Sequence, residues 1–293
     1  MKLNFTKMHA LGNDFIVIDD REGNLKRVAH LSRKLCARRF GIGADQLLLL
    51  CHSKAADFRM RIFNTDGSEV EMCGNGIRCL GKYILDDVLR CDESIYAKKY
   101  CQTIDALAVE TMAGIMQIHK SGNAYRIDMG EPVFEPAEIP VAAKLVQKKL
   151  SDGKVVEYSL KVSSKTFKIT CVSVGNPHGV IFVRDVNRIQ LDKVGPMIEN
   201  HKLFPNRINV EFVQIQNRNN IKVRVWERGA GETMACGTGA TASAVASALL
   251  GLTGRKVNVH LPGGKLLIHW AEKDNHVFMT GPAEKVFDGT IEI

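Results

Sequence analysis

Arg61-Ile62-Phe63-Asn64-Thr65-Asp66-Gly67-Ser68-Glu69-Val70-Glu71-Met72-Cys73-Gly74-Asn75-Gly76 has a partner later in the chain. It is Arg224-Val225-Trp226-Glu227-Arg228-Gly229-Ala230-Gly231-Glu232-Thr233-Met234-Ala235-Cys236-Gly237-Thr238-Gly239. The two stretches lie one offset apart (236 − 73 = 163), and the same offset carries Gly12-Asn13 onto Gly175-Asn176 and Gln46 onto Asn209. Strand-like apolar runs follow each of these positions. Three separated matches at one spacing, with no insertion between them, indicate a duplication. Only five of the sixteen paired residues are identical, so the duplication is old. Past the cysteines the spacing shortens (257 − 107 = 150): Leu107-x-Val109, a turn and Ile118-His119 match Val257-x-Val259, a turn and Ile268-His269.

Each copy reads as strand, Gly-Asn loop, helix, strands, Cys-Gly-x-Gly, helix and hairpin, with period-2 runs outnumbering helical ones. The fold class expected is α+β: two pseudo-symmetric domains from an internal duplication, with mixed or antiparallel strands around a central helix in each. An active site is expected in the cleft between the domains. Helices are expected over 77–89 and 240–250. The domains are expected to run over 1–118 with 281–293, and over 119–280. Three prolines at 132, 136 and 140 and a turn at Ser151-Asp152-Gly153-Lys154 make 132–163 read as a linker carrying a hairpin.

Composition narrows the function. With 45% hydrophobic and 25% charged residues among 293, the chain reads as globular and long enough for two cores without disulfides. Its net charge of +8 is spread along the chain in short clusters such as Arg38-Arg39, Lys98-Lys99 and Lys148-Lys149. Aromatics are only 6%, and no basic run alternates with stacking residues, so no nucleic-acid partner is expected. The uncharged stretch between Glu232 and Arg255 is long enough to cross a bilayer, but glycines and Ser/Thr break it; it reads as a loop and a buried small-residue helix. No membrane association is expected. The N-terminus reads as a strand with no signal peptide, which implies a cytoplasmic protein with reduced thiols. Eight cysteines stand at 36, 51, 73, 79, 91, 101, 171 and 236, none in a zinc-knuckle spacing.

Context separates two of those cysteines from the rest. Cys73 and Cys236 each precede Gly-x-Gly at the start of a helix, where backbone N–H groups and the helix dipole favour an anion and lower a thiol pKa from about 8.5. Two such sites suit the inversion of an amino-acid α-carbon. One thiolate takes the proton from one face, a thiol protonates the other, and N–H donors hold the carboxylate as it gains enolate character. No metal or other cofactor is required. Cys36, Cys51, Cys79, Cys91, Cys101 and Cys171 read as small hydrophobes. Gly237-x-Gly239-x-x-Ala242 formally matches a dinucleotide fingerprint, but the acidic residue about 20 positions on is missing. Gly41-Ile42-Gly43 reads as a helix C-cap and turn. His178 is an even choice between turn residue and active-site group, while His9, His119 and His269 read as core or surface.

The whole chain resembles the diaminopimelate epimerase family. The likeness rests on His9-Ala10-Leu11-Gly12-Asn13-Asp14-Phe15, Gly43-Ala44-Asp45-Gln46, Arg61 through Cys79, Gly175-Asn176-Pro177-His178, Arg207-Ile208-Asn209-Val210-Glu211-Phe212, Glu227-Arg228-Gly229 and Ala235 through Ala240. Ala10 stands where the family usually has Gly and Ile77 where it often has Ala, and the 146–165 region is longer than usual. The resemblance implies a cofactor-independent enzyme interconverting LL- and meso-2,6-diaminopimelate, on the route to lysine and peptidoglycan, with the last strand returning to the first domain and a homodimer as the assembly. It implies Cys73 and Cys236 as the acid/base pair. Gly74, Asn75, Gly237 and Thr238 would cradle the carboxylate. Asn13, Gln46, Asn64, Asn176, Asn209, Glu227 and Arg228 would hold the substrate, Arg228 at its distal carboxylate. His178 and Glu227 would tune the thiol pKa values. The rival readings are a proline racemase-like isomerase of the same superfamily and a non-catalytic binding protein with structural cysteines.

Overall fold

A computed structural model of the chain describes residues 2–89, 106–142 and 153–293. Cys91, Cys101, the Lys98-Lys99 and Lys148-Lys149 clusters and the Ser151-Asp152 part of the expected turn lie outside these residues. The chain divides into two compact units, Met1–Asp128 with Thr280–Ile293, and Met129–Met279. The first unit carries β1 (Lys2–Ala10), β2 (Asn13–Asp19), α1 (Val28–Cys36), β3 (Gln46–Cys51), β4 (Phe58–Asn64), β5 (Glu69–Val70), α2 (Gly74–Lys82), β6 (Ala106–Thr111), β7 (Gly114–Ser121) and β8 (Ala124–Asp128). The second carries β9 (Tyr158–Val162), β10 (Lys165–Ser173), β11 (Pro177–Phe182), α3 (Leu191–Glu199), β12 (Asn209–Asn217), β13 (Asn220–Glu227), β14 (Gly231–Thr233), α4 (Gly237–Leu249), β15 (Lys256–Leu261) and β16 (Gly264–Trp270). They are followed by β17 (Val277–Gly281) and β18 (Glu284–Glu292).

Both spacings found in the sequence reappear as pairing registers. Strand β2 runs parallel to β3 with Phe15 beside Gln46, and β11 runs parallel to β12 with His178 beside Asn209, each residue 163 positions from its counterpart. Strand β4 meets β6 in parallel with Phe58 beside Val109, and β13 meets β15 with Ile221 beside Val259. The first pair of counterparts lies 163 residues apart and the second 150. The hairpins β6–β7 and β15–β16 place Leu107 opposite Ile118 and Val257 opposite Ile268. Strand β18 pairs antiparallel with β1, which returns the end of the chain to the first unit.

The boundary after Asp128 differs from the expected 118/119, which would cut β7 in the middle of its pairing with β8. The described part of the proline-rich 132–163 segment, residues 132–142 and 153–163, does not behave as a linker. Ile139, Val141, Val155 and Leu160 are buried in the core of the second unit with Phe212, and β9 pairs with β10. Of these apolar residues Ile139 lies between prolines and Val141, Val155 and Leu160 follow the last of them, and they form no periodicity that would reveal them.

A helix sits inside each set of strands. In the second unit α4 packs on β10, β11, β12, β13, β15 and β16, and Gly237 and Gly239 through Ser247 are all buried. Only small residues let strands approach from every side, which explains the uncharged stretch. At 13 residues α4 spans about 20 Å, short of a bilayer core, and no helix among the described residues is long and apolar enough to cross one. Its counterpart α2 packs on β1, β2, β3, β4, β7, β8 and β18. A π-helical turn, Tyr83–Val88, continues α2 and carries Asp86.

Lys120, Lys82 and Tyr125 donate to Asp86 at 2.6, 2.7 and 2.9 Å. Burial raises this carboxyl, but the three donors outweigh it and hold the pKa down at about 2. A carboxylate depressed in the folded state stabilises the fold above its unfolded value of ~3.9, and that contribution is lost as pH falls through about 2. Asp86→Asn is therefore expected to remove ~1–2 kcal/mol at neutral pH and little at pH 2, as read by urea unfolding at both pH values.

Candidate active site

Cys73 and Cys236 hold the same local position in the two units. Each is the extended N-cap residue of its central helix (φ −138°, ψ 115° and φ −116°, ψ 115°). Each sulfur accepts the third N–H of the helix, from Gly76 or Gly239, at 3.4 Å. The Cys-Gly-x-Gly motif thus caps a helix with a thiol in place of the usual hydroxyl or carboxylate. Gly74 and Asn75, and Gly237 and Thr238, supply first-turn N–H groups of the kind that bind a carboxylate.

In the first unit the expected residues meet around Asn13. Its Oδ1 accepts from Asn75 Nδ2 at 3.2 Å and lies 3.8 Å from the Cys73 sulfur, while its Nδ2 donates to Asp45 at 2.8 Å. The amide orientation therefore depends on Asp45, which also accepts from Arg38 at 2.6 Å. Arg38 and Lys7 pair with Asp14, whose carboxyl in turn accepts the Asp45 backbone N–H. Gln46 and Asn64 are opposite residues of β3 and β4, and Gln46 Nε2 donates to Asn64 Oδ1 at 2.8 Å. Gln46 Oε1 is buried with no hydrogen-bond partner among the described residues.

Behind this cluster lies a fully buried guanidinium. Arg78 donates to Asn75 Oδ1 (2.7 Å), the Gly74 carbonyl (3.1 Å) and the Pro282 carbonyl (3.3 Å). Burial pushes it down to about 10, which leaves it charged at neutral pH. At the equivalent place in α4 stands Thr241, whose hydroxyl bonds the Gly237 carbonyl at 2.9 Å.

The second unit gathers Asn176, His178, Asn209, Glu227, Arg228 and Thr238. Thr238 Oγ1 lies 3.4 Å from the Cys236 sulfur. Asn209 ties two loops together, donating to the Pro177 carbonyl at 2.8 Å and accepting from the Arg228 N–H at 2.9 Å. The Arg228 side chain is exposed, with one contact to the Asn206 carbonyl at 3.3 Å. Thr233 donates to Glu227. Glu199, at the end of α3, anchors the same turn by accepting from Trp226 Nε1 (2.7 Å) and the Gly229 N–H (2.9 Å). Both nitrogens of His178 are engaged, Nδ1 with Glu211 and Nε2 with Asn176, each at 2.7 Å.

The expected depression of the thiol pKa does not hold at Cys236. Burial pushes this thiol well above its ordinary value, and the Glu227 and Glu211 carboxyls push further against the Thr238 and Gly239 hydrogen bonds. Desolvation of an anion outweighs one turn of helix dipole. Of the thiols read as small hydrophobes, Cys36, Cys79 and Cys171 are buried and pushed up by burial, whereas Cys51 is only half-buried and pushed up to about 11.

Asp45, Arg78, Glu199 and Glu211 were absent from the sequence-derived site. Glu211 had a usable signal, being a carboxylate inside the apolar run Ile208–Val213, where a buried strand demands a partner for it. Among the described residues, no three His, Cys, Asp or Glu side chains gather as a metal site.

The family profile for diaminopimelate epimerase matches residues 5–135 and 170–286. The diaminopimelate epimerase of Acetivibrio thermocellus is 47% identical over 296 residues, covering 99% of both chains. That of Carboxydothermus hydrogenoformans is 49% identical over 98% of both. Among solved structures, a hydroxyproline epimerase from Agrobacterium vitis shares the fold, with a TM-score of 0.67 at 12% identity over 99% of this chain and 92% of its own. With a family profile across most of its length and near-full-length relatives approaching half identity, the chain belongs to the diaminopimelate epimerase family.

Proposed function

We propose that the protein interconverts LL- and meso-2,6-diaminopimelate by a two-thiol acid/base reaction without a cofactor. The observation that carries this reading is the pair of thiols capping equivalent helices, each beside first-turn N–H groups suited to a carboxylate. The α-carboxylate takes those donors, so the negative charge that moves onto it as the α-proton leaves is met by N–H groups already in place. The thiolate of one cysteine removes the proton, and the S–H of the other delivers a proton to the opposite face. After one turnover the two have exchanged thiol and thiolate, and the same site runs backwards. Burial beside the Glu227 and Glu211 carboxyls pushes the Cys236 thiol up, which disfavours its thiolate form.

The exposed Arg228 guanidinium, with the Asn176 and Asn209 amides of the same unit, suits the second carboxylate and amine of a long, doubly zwitterionic substrate better than a proline ring. A cytoplasmic location and a homodimer belong to the same proposal, on the strength of the family likeness; light scattering checks the assembly. The direct test is incubation of the reduced protein with LL-diaminopimelate in D₂O. Deuterium is expected at the α-carbon together with the meso isomer. A protein that exchanges no α-proton is not this enzyme.

A further inference from the structure

The duplication allows the surroundings of the two thiols to be compared position by position. The glycine three residues after each cysteine packs against the parallel strand pair behind it. A Cβ on Gly76 would meet Leu48 Cδ2 at 3.2 Å and Phe15 Cε1 at 3.4 Å, an apolar backing. A Cβ on Gly239 would meet Glu211 Oε1 at 2.9 Å. The offset of 163 that relates Cys73 to Cys236 also relates Leu48 to Glu211 and Phe15 to His178. At one place in one fold, an apolar pair in the first unit is replaced by a buried Glu–His pair in the second, both side chains 0% exposed. The Phe–Leu solution shows that packing does not require these charges, and burying an ion pair is a poor route to stability.

Proton counting shows what the pair holds. Asn176 presents its Oδ1 to His178 Nε2, so that nitrogen carries a proton. One further proton lies between His178 Nδ1 and Glu211 Oε1, making the pair neutral as a whole. Glu211 Oε2 is buried and has no hydrogen-bond partner among the described residues. With its oxygen tied back to His178, Asn176 keeps its NH₂ group to donate to an anionic substrate. In the first unit, Asn13 at the equivalent position has its NH₂ group tied to Asp45, and its oxygen faces Asn75 and Cys73. The two amides are therefore held in opposite senses.

We propose that Glu211 is a positioning residue of the epimerisation site. By sharing one proton with His178 it sets Asn176 as a hydrogen-bond donor and keeps a buried carboxyl behind the Cys236 helix turn, which makes the second thiol chemically unlike the first. This rests on the two-thiol reading above. Glu211→Leu gives the second unit the residue that the first already uses, and Glu211→Gln keeps a group that can donate to Nδ1 and so preserves the Nε2–H on Asn176.

The test measures kcat and KM with LL-diaminopimelate and, separately, the iodoacetamide alkylation rates of Cys73 and Cys236 by peptide mapping. Glu211→Leu is expected to lower kcat/KM by about 100-fold, and Glu211→Gln to recover to within about tenfold of the parent. In Glu211→Leu, Cys236 is expected to alkylate about fivefold faster with Cys73 unchanged, because a carboxyl that disfavours the thiolate has gone. A folded Glu211→Leu protein with parental kcat/KM and an unchanged alkylation ratio overturns the proposal, as does Glu211→Gln performing no better than Glu211→Leu. If Glu211→Leu fails to fold, the double variant His178→Phe with Glu211→Leu, a pair the first unit accommodates, carries the same test. Alkylation needs no substrate, so its contrast between the thiols survives even if the parent fails to turn over diaminopimelate.

Discussion

Replacing Cys73 or Cys236 by alanine is expected to reduce epimerisation by at least about 1,000-fold, since in the proposed two-thiol reaction each change removes one of the two proton-transferring groups outright. The two variants should not be silent in the same way. A protein that keeps one thiol can still remove and return a proton on the face that thiol serves. Each variant is therefore expected to wash deuterium into one isomer of diaminopimelate without inverting it, and the two should prefer opposite isomers. Near-normal epimerisation by either variant eliminates the two-thiol reaction. Loss of the fold does not provide an alternative explanation. Each sulfur accepts one long backbone hydrogen bond, of 3.4 Å, from its helix, and its side-chain contacts, Asn13 Oδ1 at 3.8 Å for Cys73 and Thr238 Oγ1 at 3.4 Å for Cys236, are long as well, so the cost of the missing cap is about 1 kcal/mol. Circular dichroism on both variants should match the parent.

Arg78→Ala is expected to be the most destabilising single change in the first unit, lowering the unfolding free energy by about 3–5 kcal/mol in urea titrations. The guanidinium is fully buried and is a donor to Gly74, Asn75 and Pro282. Truncation leaves those acceptors without it and opens a cavity along α2. Two of the three belong to the helix turn that Cys73 caps, and the third lies in the connection to β18. The variant should thus lose activity at temperatures where it remains folded, with Arg78→Lys recovering part of the stability through one of the three contacts. An Arg78→Ala protein as stable as the parent would mean that this buried cation contributes nothing net to folding. Thr241, its counterpart, makes a single hydroxyl bond, and Thr241→Val is a much smaller change of the same kind.

Much of the fold was legible because duplication leaves a spacing, and spacing survives when identities do not. Helix α1 begins at Val28 and α3 at Leu191, 163 residues on, although the two helices share almost no sequence. The two thiols were legible for the same reason: glycines after a cysteine at a helix start carry a local physical meaning. The 132–163 segment was misread because prolines suggest a linker locally, while Ile139, Val141 and Val155 are claimed by a core assembled from distant strands.

The sequence by itself determined that there are two copies of one α+β unit and that a Cys-Gly-x-Gly stands at the start of each central helix, although the helices begin at Gly74 and Gly237 rather than at the expected 77 and 240, which makes each cysteine the cap. These are consequences of short-range rules of periodicity, glycine and helix ends, which neighbouring residues satisfy among themselves. Tertiary structure alone decided how the copies differ. Arg78, Asp45 and Glu211 acquire their partners from acceptors and donors brought together from different strands and loops, and burial, which no single residue carries, pushes the Cys236 thiol well above its ordinary pKa. Desolvation and hydrogen-bond partnership are properties of the packed volume, so the difference between the surroundings of the two thiols was written only there.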